Sequence, residues 1–413
     1  MKSLLFFFIS TIFTFASFAK TENITMSDVV KKVSENNYQV QTEALKVYQA
    51  KKSISVARGE LLPSLNIWNI VSAIFDPVSL ISQDVAPFLV PANWFRLEQA
   101  KQLHLAEKEG YRALWANEIF NSKTLYLQIL SDQSLWQVVK EVRNNISELE
   151  QVAQKRERLG GLRTGIAREL KIKVLTLDED LFRLDRLLKE EKRLLVFHLG
   201  LPLGTEVELS PVTMPDLLSS AKLTDKDFEK RVVSVSPERT QHLRFIEALK
   251  SVKGEIKYSF LGLSSNSRGV AGGIFDSLPI ASGLGFATAP SLRIAETERK
   301  RLQLQLTGIE ETLKRDLANT VMQYNLELET YPTLMERSKL ANETMDSLKK
   351  RLLFGEDLDL VMLGEGYRNL VSSQSAVFQA QYRSLIFKER LTRLTLSDEY
   401  QTIPKPKNPP KPK

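Results

Sequence analysis

The chain has no cysteine among its 413 residues. Disulfides are therefore excluded, as is a lipid-modified N-terminal cysteine. Histidine is nearly as scarce: the three are His104, His198 and His242, and none has a second ligand at metal-binding spacing. No Gly-x-Ser-x-Gly elbow occurs. The glycine-rich run RGVAGG (268–273) is not followed by Gly-Lys-Ser/Thr, so it reads as a hairpin tip rather than a phosphate loop. The neighbouring carboxylates Asp178 and Asp180 lie in a heavily charged segment and read as a solvated face. These absences predict no enzyme, no cofactor and no metal. A basic stripe interleaved with aromatics is also missing. The net charge of +7 is a mild surface excess, supplied in part by the tail IPKPKNPPKPK (403–413), and argues against nucleic acid as a partner. Beyond the N-terminus no segment reaches ~18 uninterrupted apolar residues, the length of a membrane-spanning helix. Entry into a membrane would have to be as β-structure.

What is present is the composition of a folded protein, 43% apolar and 26% charged. The chain opens with Lys2, an apolar run from Leu4 to Phe18, and the small residues Ser17 and Ala19 at the −3 and −1 positions of a cleavage site. That pattern predicts a secretory signal peptide over 1–19 and an exported mature chain.

Proline placement organises the rest. Between Pro91 and Pro202 there is none, and residues 96–159 are rich in Leu, Ala, Glu, Lys and Gln. This predicts a helix of roughly 60 residues, a rod of ~95 Å. A second rod is expected over about 166–199. Its Leu170, Val174, Leu177, Leu181, Leu184 and Leu188 alternate by four and three, a heptad seam that reaches Leu195 after a charged step at Glu191. The rods are joined at Gly160-Gly161, where a residue after a helix often takes a positive φ that glycine tolerates cheaply. The second half follows the same plan. A long helix is expected over 291–353, with a kink or irregularity at Pro332, then a turn at 354–357 and a second rod over about 358–396.

The halves also match in sequence. ARGELLPSL (57–65) pairs with VKGEIKYSF (252–260), and KRERLG (155–160) with KRLLFG (350–355), both 195 positions apart. AIFDPVSLIS (73–82) pairs with GIFDSLPIAS (273–282), 200 apart. Three matches in one order predict a tandem repeat, with a first unit over 20–215 and a second over 216–396. Each unit holds one nearly uncharged stretch. Between Pro63 and Asn93 the only charges are Asp76 and Asp84; between Tyr258 and Ser291 they are Arg268 and Asp276. Leu65, Ile67 and Val71 alternate with other residues, as do Ile280, Leu284 and Phe286. The alternation predicts a β-hairpin of membrane-spanning length in each unit, over about 64–92 and 259–290. The connector at 200–220 is turn-rich, with a short strand at 207–209. The Pro/Lys tail, 397–413, is expected to be extended and disordered. At the turns, Glu356, Asp357 and Asp359 make the second acidic, whereas the first offers Arg163, so opposite charges on adjacent hairpin ends could pair.

A signal peptide, no cysteine, a tandem repeat, long α-hairpins with glycine turns and an uncharged hairpin in each unit together resemble the TolC-like outer-membrane efflux proteins, over about 26–396. ARGELLPSL, with its Leu-Pro before the first strand, and the paired turns at Gly160 and Gly355 carry the likeness. It implies a mainly α fold with long antiparallel coiled-coil hairpins and a β-barrel portion. It further implies a homotrimer whose chains each give four strands to one twelve-stranded barrel in outer-membrane lipid, above a helical periplasmic tunnel. The function implied is a passive exit duct for efflux or type I secretion, served by a periplasmic adaptor and an inner-membrane pump or ABC transporter. The adaptor would dock on the tip turns, at Leu159, Gly160, Gly161, Phe354, Gly355 and Glu356. Arg163, Asp357 and Asp359 would constrict the pore. The chain departs from the family at the second tip, with Val361 and Gly364 where well-studied members carry aspartates, and it has Tyr258 where its own first unit has Pro63. The competing reading is a non-conducting periplasmic scaffold of the same rods. It is prompted by Pro77, Pro87 and Pro91 in the first uncharged stretch, because proline is excluded from interior strand positions.

Overall fold

The computed structural model describes residues 21–62, 87–258, 286–354 and 360–401. Strand β1 (Glu22–Ile24) is followed by α1 (Met26–Asn36), α2 (Tyr38–Gly59) and the long α3 (Pro91–Arg158). Helix α4 (Ile166–His198) returns along α3, and β2 (Val207–Leu209) follows it. Helices α5 (Lys226–Val235), α6 (Pro237–Tyr258), α7 (Thr288–Phe354) and α8 (Leu360–Leu394) complete the chain before a 3₁₀ turn, Asp398–Tyr400. Corresponding helices have matching lengths: 22 residues in both α2 and α6, 68 and 67 in α3 and α7, 33 and 35 in α4 and α8. At 1.5 Å per residue α3 and α7 are each about 100 Å long.

Local chemistry sets the boundaries. Thr25 and Asp28 form a reciprocal capping box at the start of α1. Asn37 stops α1 and starts α2, its Oδ1 accepting from the amides of Gln39 (2.9 Å) and Val40 (3.0 Å). Pro91 occupies the first turn of α3, where its missing N–H costs nothing. Helix α7 runs unbroken through Pro332, where an irregularity was expected. The hydrogen bond lost to proline is one among many in a 67-residue helix. The flanking Leu328 and Tyr331 are buried, and Gln381 of α8 donates to the Tyr331 hydroxyl at 2.9 Å.

The long helices form a wall. In its lower part α3 packs on α4 and α8, and α8 packs on α7, leaving α4 and α7 at the two edges. In its upper part α3 packs on α2 and α6, and α6 on α7. The largest core lies midway, where β1 pairs in parallel with β2, Glu22 opposite Val207 and Ile24 opposite Leu209, over Trp115, Ile119, Tyr126 and Leu195. Tyr126 Oη sits within hydrogen-bond distance of the carbonyls of Ile24 (3.0 Å) and Ser210 (2.6 Å), fastening the strand pair to α3.

Three expectations need correction. The first predicted hairpin cannot extend to 92, because Pro87–Leu89 form a 3₁₀ turn and α3 begins at Pro91. The second ends before 288, where α7 begins. The remainder of both hairpins lies outside the described residues, as does the predicted signal peptide over 1–19. The tail is not free from its first residue. Tyr400 is fully buried, its ring edge-on to Trp115 with centroids 6.3 Å apart, and its hydroxyl donates to Glu389 at 2.6 Å. The buried Lys123 ammonium pairs with Glu389 (2.9 Å) and with Glu399. Two carboxylates and an aromatic face compensate a cation that would otherwise be costly to bury, and so residues 397–401 are held against α3.

Candidate functional site

The two hairpin tips lie together at one end of the wall. Ala153, Ile166, Ala167 and Leu170 of the first hairpin share one core with Leu348, Leu352, Leu363 and Tyr367 of the second. At the first turn Gly160 has φ +71°, the left-handed conformation that glycine adopts without strain. Its amide donates to Glu157 O (3.1 Å), and the Gly161 amide reaches back to Arg156 O (3.0 Å), consuming carbonyls that the helix end leaves free. The Glu157 carboxylate accepts from the amide of Ala167 at 2.8 Å, so the end of α3 caps the start of α4. The turn is thereby fixed, with Leu159 85% exposed and Gly160, Gly161 and Arg163 at the surface. Phe354 projects from the second tip, 82% exposed. Gly355, Glu356, Asp357 and Asp359 lie outside the described residues, so the predicted pairing with Arg163 has no counterpart among them.

The wall has a second surface that the sequence patterning left unread. The predicted seam of α4 is inward: Leu170, Val174 and Leu195 are buried, and Leu177 and Leu188 pack partly against the core. The opposite face of the same helix carries Ile172, Leu175, Phe182, Leu187, Leu194 and Phe197, all exposed, Phe182 to 73%. Helix α7, the other edge, exposes Met322, Leu326 and Leu340 on one face, with Leu304 higher on the same face. Lateral contacts fix the relative heights. Arg143–Asp178 (2.9 Å) and Gln128–Glu191 (3.0 Å) join α3 to α4; Lys123–Glu389 joins α3 to α8; Arg383–Glu327 (3.0 Å) and Gln374–Asn342 (3.0 Å) join α8 to α7. Followed across the wall, they set Phe182 close to the level of Leu340, and Leu194 close to the level of Met322. Two apolar stripes therefore occupy the same span on opposite edges.

Glu191, expected as a charged break in the seam, is itself buried. Burial first, and then the neighbouring Asp132 charge, push its carboxyl from an ordinary 4.5 up to about 7. Burial raises Asp132 as well. Keeping one of the two carboxyls protonated removes the repulsion of a doubly ionised pair. Among the described residues no group of three or more His, Asp or Glu is placed to hold a metal ion, and no helix is long and apolar enough to cross a membrane.

No family model and no curated protein sequence matches the chain. Solved structures do. A membrane protein from Pseudomonas aeruginosa superposes with a TM-score of 0.71 at 16% identity, covering 90% of each chain. The Campylobacter jejuni CmeC outer membrane channel gives 0.68 at 11% identity, over 91% of this chain and 87% of that one. The open state of the Neisseria gonorrhoeae MtrE outer membrane channel gives 0.65 at 12% identity, over 90% and 88%. The fold is that of the TolC-like outer-membrane channels, and the likeness extends along nearly the whole chain.

Proposed function

We propose that the chain is one protomer of an outer-membrane exit duct of a tripartite efflux or type I secretion system. The observation that carries this reading is the pair of exposed apolar stripes at equal height on the two unlike edges of the wall. A single chain leaves both in water. A ring in which α4 of one copy meets α7 of the next covers them, and each large apolar side chain so buried contributes on the order of 1.5–3 kcal/mol. Unlike edges that meet head to tail close into a ring when the rotation between copies allows it, and we read that ring as three copies. We read the chain as two tandem units whose uncharged stretches add strands to a shared barrel, with the mature chain beginning near Lys20. The tip turns at Leu159 and Phe354 offer apolar side chains to a periplasmic adaptor that leads to an inner-membrane pump. Arg163, Asp357 and Asp359 would line the narrow end. The protein then performs no chemistry; it supplies a path, and the pump supplies the energy.

The scaffold alternative loses part of its motive. Pro87 and Pro91 belong to a 3₁₀ turn and a helix start rather than to a strand. The absence of cysteine makes the ring directly testable. Phe182→Cys combined with Leu340→Cys is expected to cross-link under mild oxidation into a species of three chains in the outer-membrane fraction, and the purified protein is expected to conduct in planar bilayers. Recovery as a soluble monomer without cross-links would sink the reading. Cross-linked trimers without conductance would favour the scaffold.

A further inference from the structure

Where α8 ends and α6 begins, one face of the wall carries a groove of about 730 Å³ between α3 and α7. That volume suits a small organic molecule. Residues nine apart in a helix are two and a half turns apart and stand on opposite sides of it. Asn117 and Asn121 of α3 line the groove and stand opposite Tyr126 and Leu130, which belong to the core under the strand pair. Gly308 and Thr312 of α7 line it too, opposite Leu317 and Val321, on which Val232 of α5 packs. The groove therefore opens on the face away from the strand pair and α5. Three features of its lining are unexplained by packing. Gly308 sits inside a 67-residue helix, where glycine is a costly residue, yet a Cβ there would meet nothing within 4 Å. Arg393 is buried; its Nη2 donates to Glu238, while its Nε has no hydrogen-bond partner among the described residues. Arg390 reaches Asp316 at 3.7 Å, longer than a hydrogen bond, and that carboxylate is already engaged by Arg315 at 3.2 Å.

We propose that this groove is a binding station for small organic anions with an apolar body, aromatic carboxylates in particular, and that it faces the passage of the duct. The proposal deepens the outer-membrane reading and rests on it. The anionic head is selected by the two guanidiniums. Arg390 and Arg393 keep donors free, while both carboxylates of the lining, Glu238 and Asp316, are already held by arginines. A buried N–H without an acceptor is costly, so an oxygen that reaches Arg393 Nε removes a penalty the empty groove carries. The apolar body is selected by Phe120 of α3 and Ile309 of α7, both half-buried in the lining, and by the space that Gly308 leaves open beside Ile309. The face follows from the ring. Its outer perimeter is the longer, and the strand pair with α5 forms an added layer that fits there. The groove on the opposite face then lines the passage at mid-height, once in every copy.

The test uses the full chain in lipid nanodiscs, with naphthoate as the probe, naphthol as its uncharged counterpart and empty discs as the blank. Equilibrium dialysis reads binding, and planar bilayers read the current that a bound probe obstructs. The parent is expected to hold naphthoate several-fold more tightly than naphthol and to lose channel current as naphthoate is added. Gly308→Leu fills the groove from an exposed position. It is expected to weaken naphthoate binding about tenfold and to relieve the block. Arg390→Gln is expected to weaken naphthoate several-fold while leaving naphthol as in the parent. Parental binding in Gly308→Leu, or no binding above the blank in the parent, overturns the station and leaves the duct intact. An equal loss of naphthoate and naphthol in Arg390→Gln overturns anion recognition. Binding without block in a conducting channel overturns the placement in the passage. Failure of the parent to conduct at all instead removes the duct reading, and dialysis still reads the groove separately.

Discussion

The wall changes partners at mid-height in two places, and the two corners are built differently. Where α4 ends and α2 begins, Asn37 caps α2 and donates both to Glu118 Oε2 (3.1 Å) and to His198 O (2.8 Å), while His198 Nδ1 lies 3.3 Å from the same carboxylate. Where α8 ends and α6 begins, Ser236 Oγ accepts from the Arg239 amide (3.2 Å) and donates to Glu238 (2.9 Å), and Glu238 pairs with Arg393. Each corner thus combines a polar cap, a carboxylate and a base. The first base is an imidazole with two ring nitrogens; the second is a guanidinium, a planar fork of five donors. One scaffold joint tolerates two solutions because each satisfies the same need, to leave neither the helix ends nor a buried carboxylate without partners.

The carboxylates respond accordingly. The His198 hydrogen bond, against the cost of burial, holds Glu118 below its usual value. Burial alone would raise Glu238, but the charge and hydrogen bond of Arg393 outweigh it and leave that group lowered. The sign follows from linkage. A depressed carboxyl contributes stability above its unfolded pKa, and that contribution is lost as pH falls through the acid range. Glu191 runs the other way. Its raised pKa means that the folded chain holds the proton more tightly, so stability declines as pH rises from the ordinary 4.5 toward about 7.

The sharpest way to break the comparison is Arg393→Ala, which strands Glu238 in a half-buried corner. A loss of about 3 kcal/mol is expected in denaturant unfolding, since removing one partner of a buried pair is strongly destabilising. Glu118→Gln should cost about 2 kcal/mol by the same measurement, because Asn37 retains an acceptor while the charge-assisted contact to His198 is lost. Equal losses at the two corners would show that the identity of the base is immaterial. Glu191→Gln separates the corners from the seam. Its thermal midpoint should exceed the parent's most at pH 7, by the equivalent of about 1–2 kcal/mol, and converge with it toward pH 4.5; a constant offset would mean that Glu191 is already ionised across the range. Gly160→Val should cost the least globally, about 1–2 kcal/mol for forcing a β-branched residue to φ +71°. Its larger effect should be on adaptor capture at the tip, read by pull-down.

The features legible in the sequence were the periodic ones. The long helices, the hairpin turn at Gly160 and the inner seam of α4 all follow from composition and heptad spacing within one segment. The outer stripe of α4 did not stand out, because Phe182 and Leu187 become a surplus only once the seam is seen to be occupied by α3. The corners were illegible for another reason. Glu238 and Arg393 are far apart in the sequence and share no local pattern; nothing but the fold brings them together. Tyr400 escaped for a third reason. The Pro/Lys composition beyond it dominated the reading of the tail, while the buried counter-charges that hold it, Lys123 and Glu389, lie on two other helices.

The unlike edges of the wall also carry a genetic consequence. In the proposed ring, a copy with a damaged α7 stripe still presents an intact α4 face, so it would join a growing ring and then halt it. Co-expressed with the parent chain, such a variant should act dominantly, lowering function well below the share of normal chains. A loss confined to the glycine turn at the tip should instead dilute function in proportion.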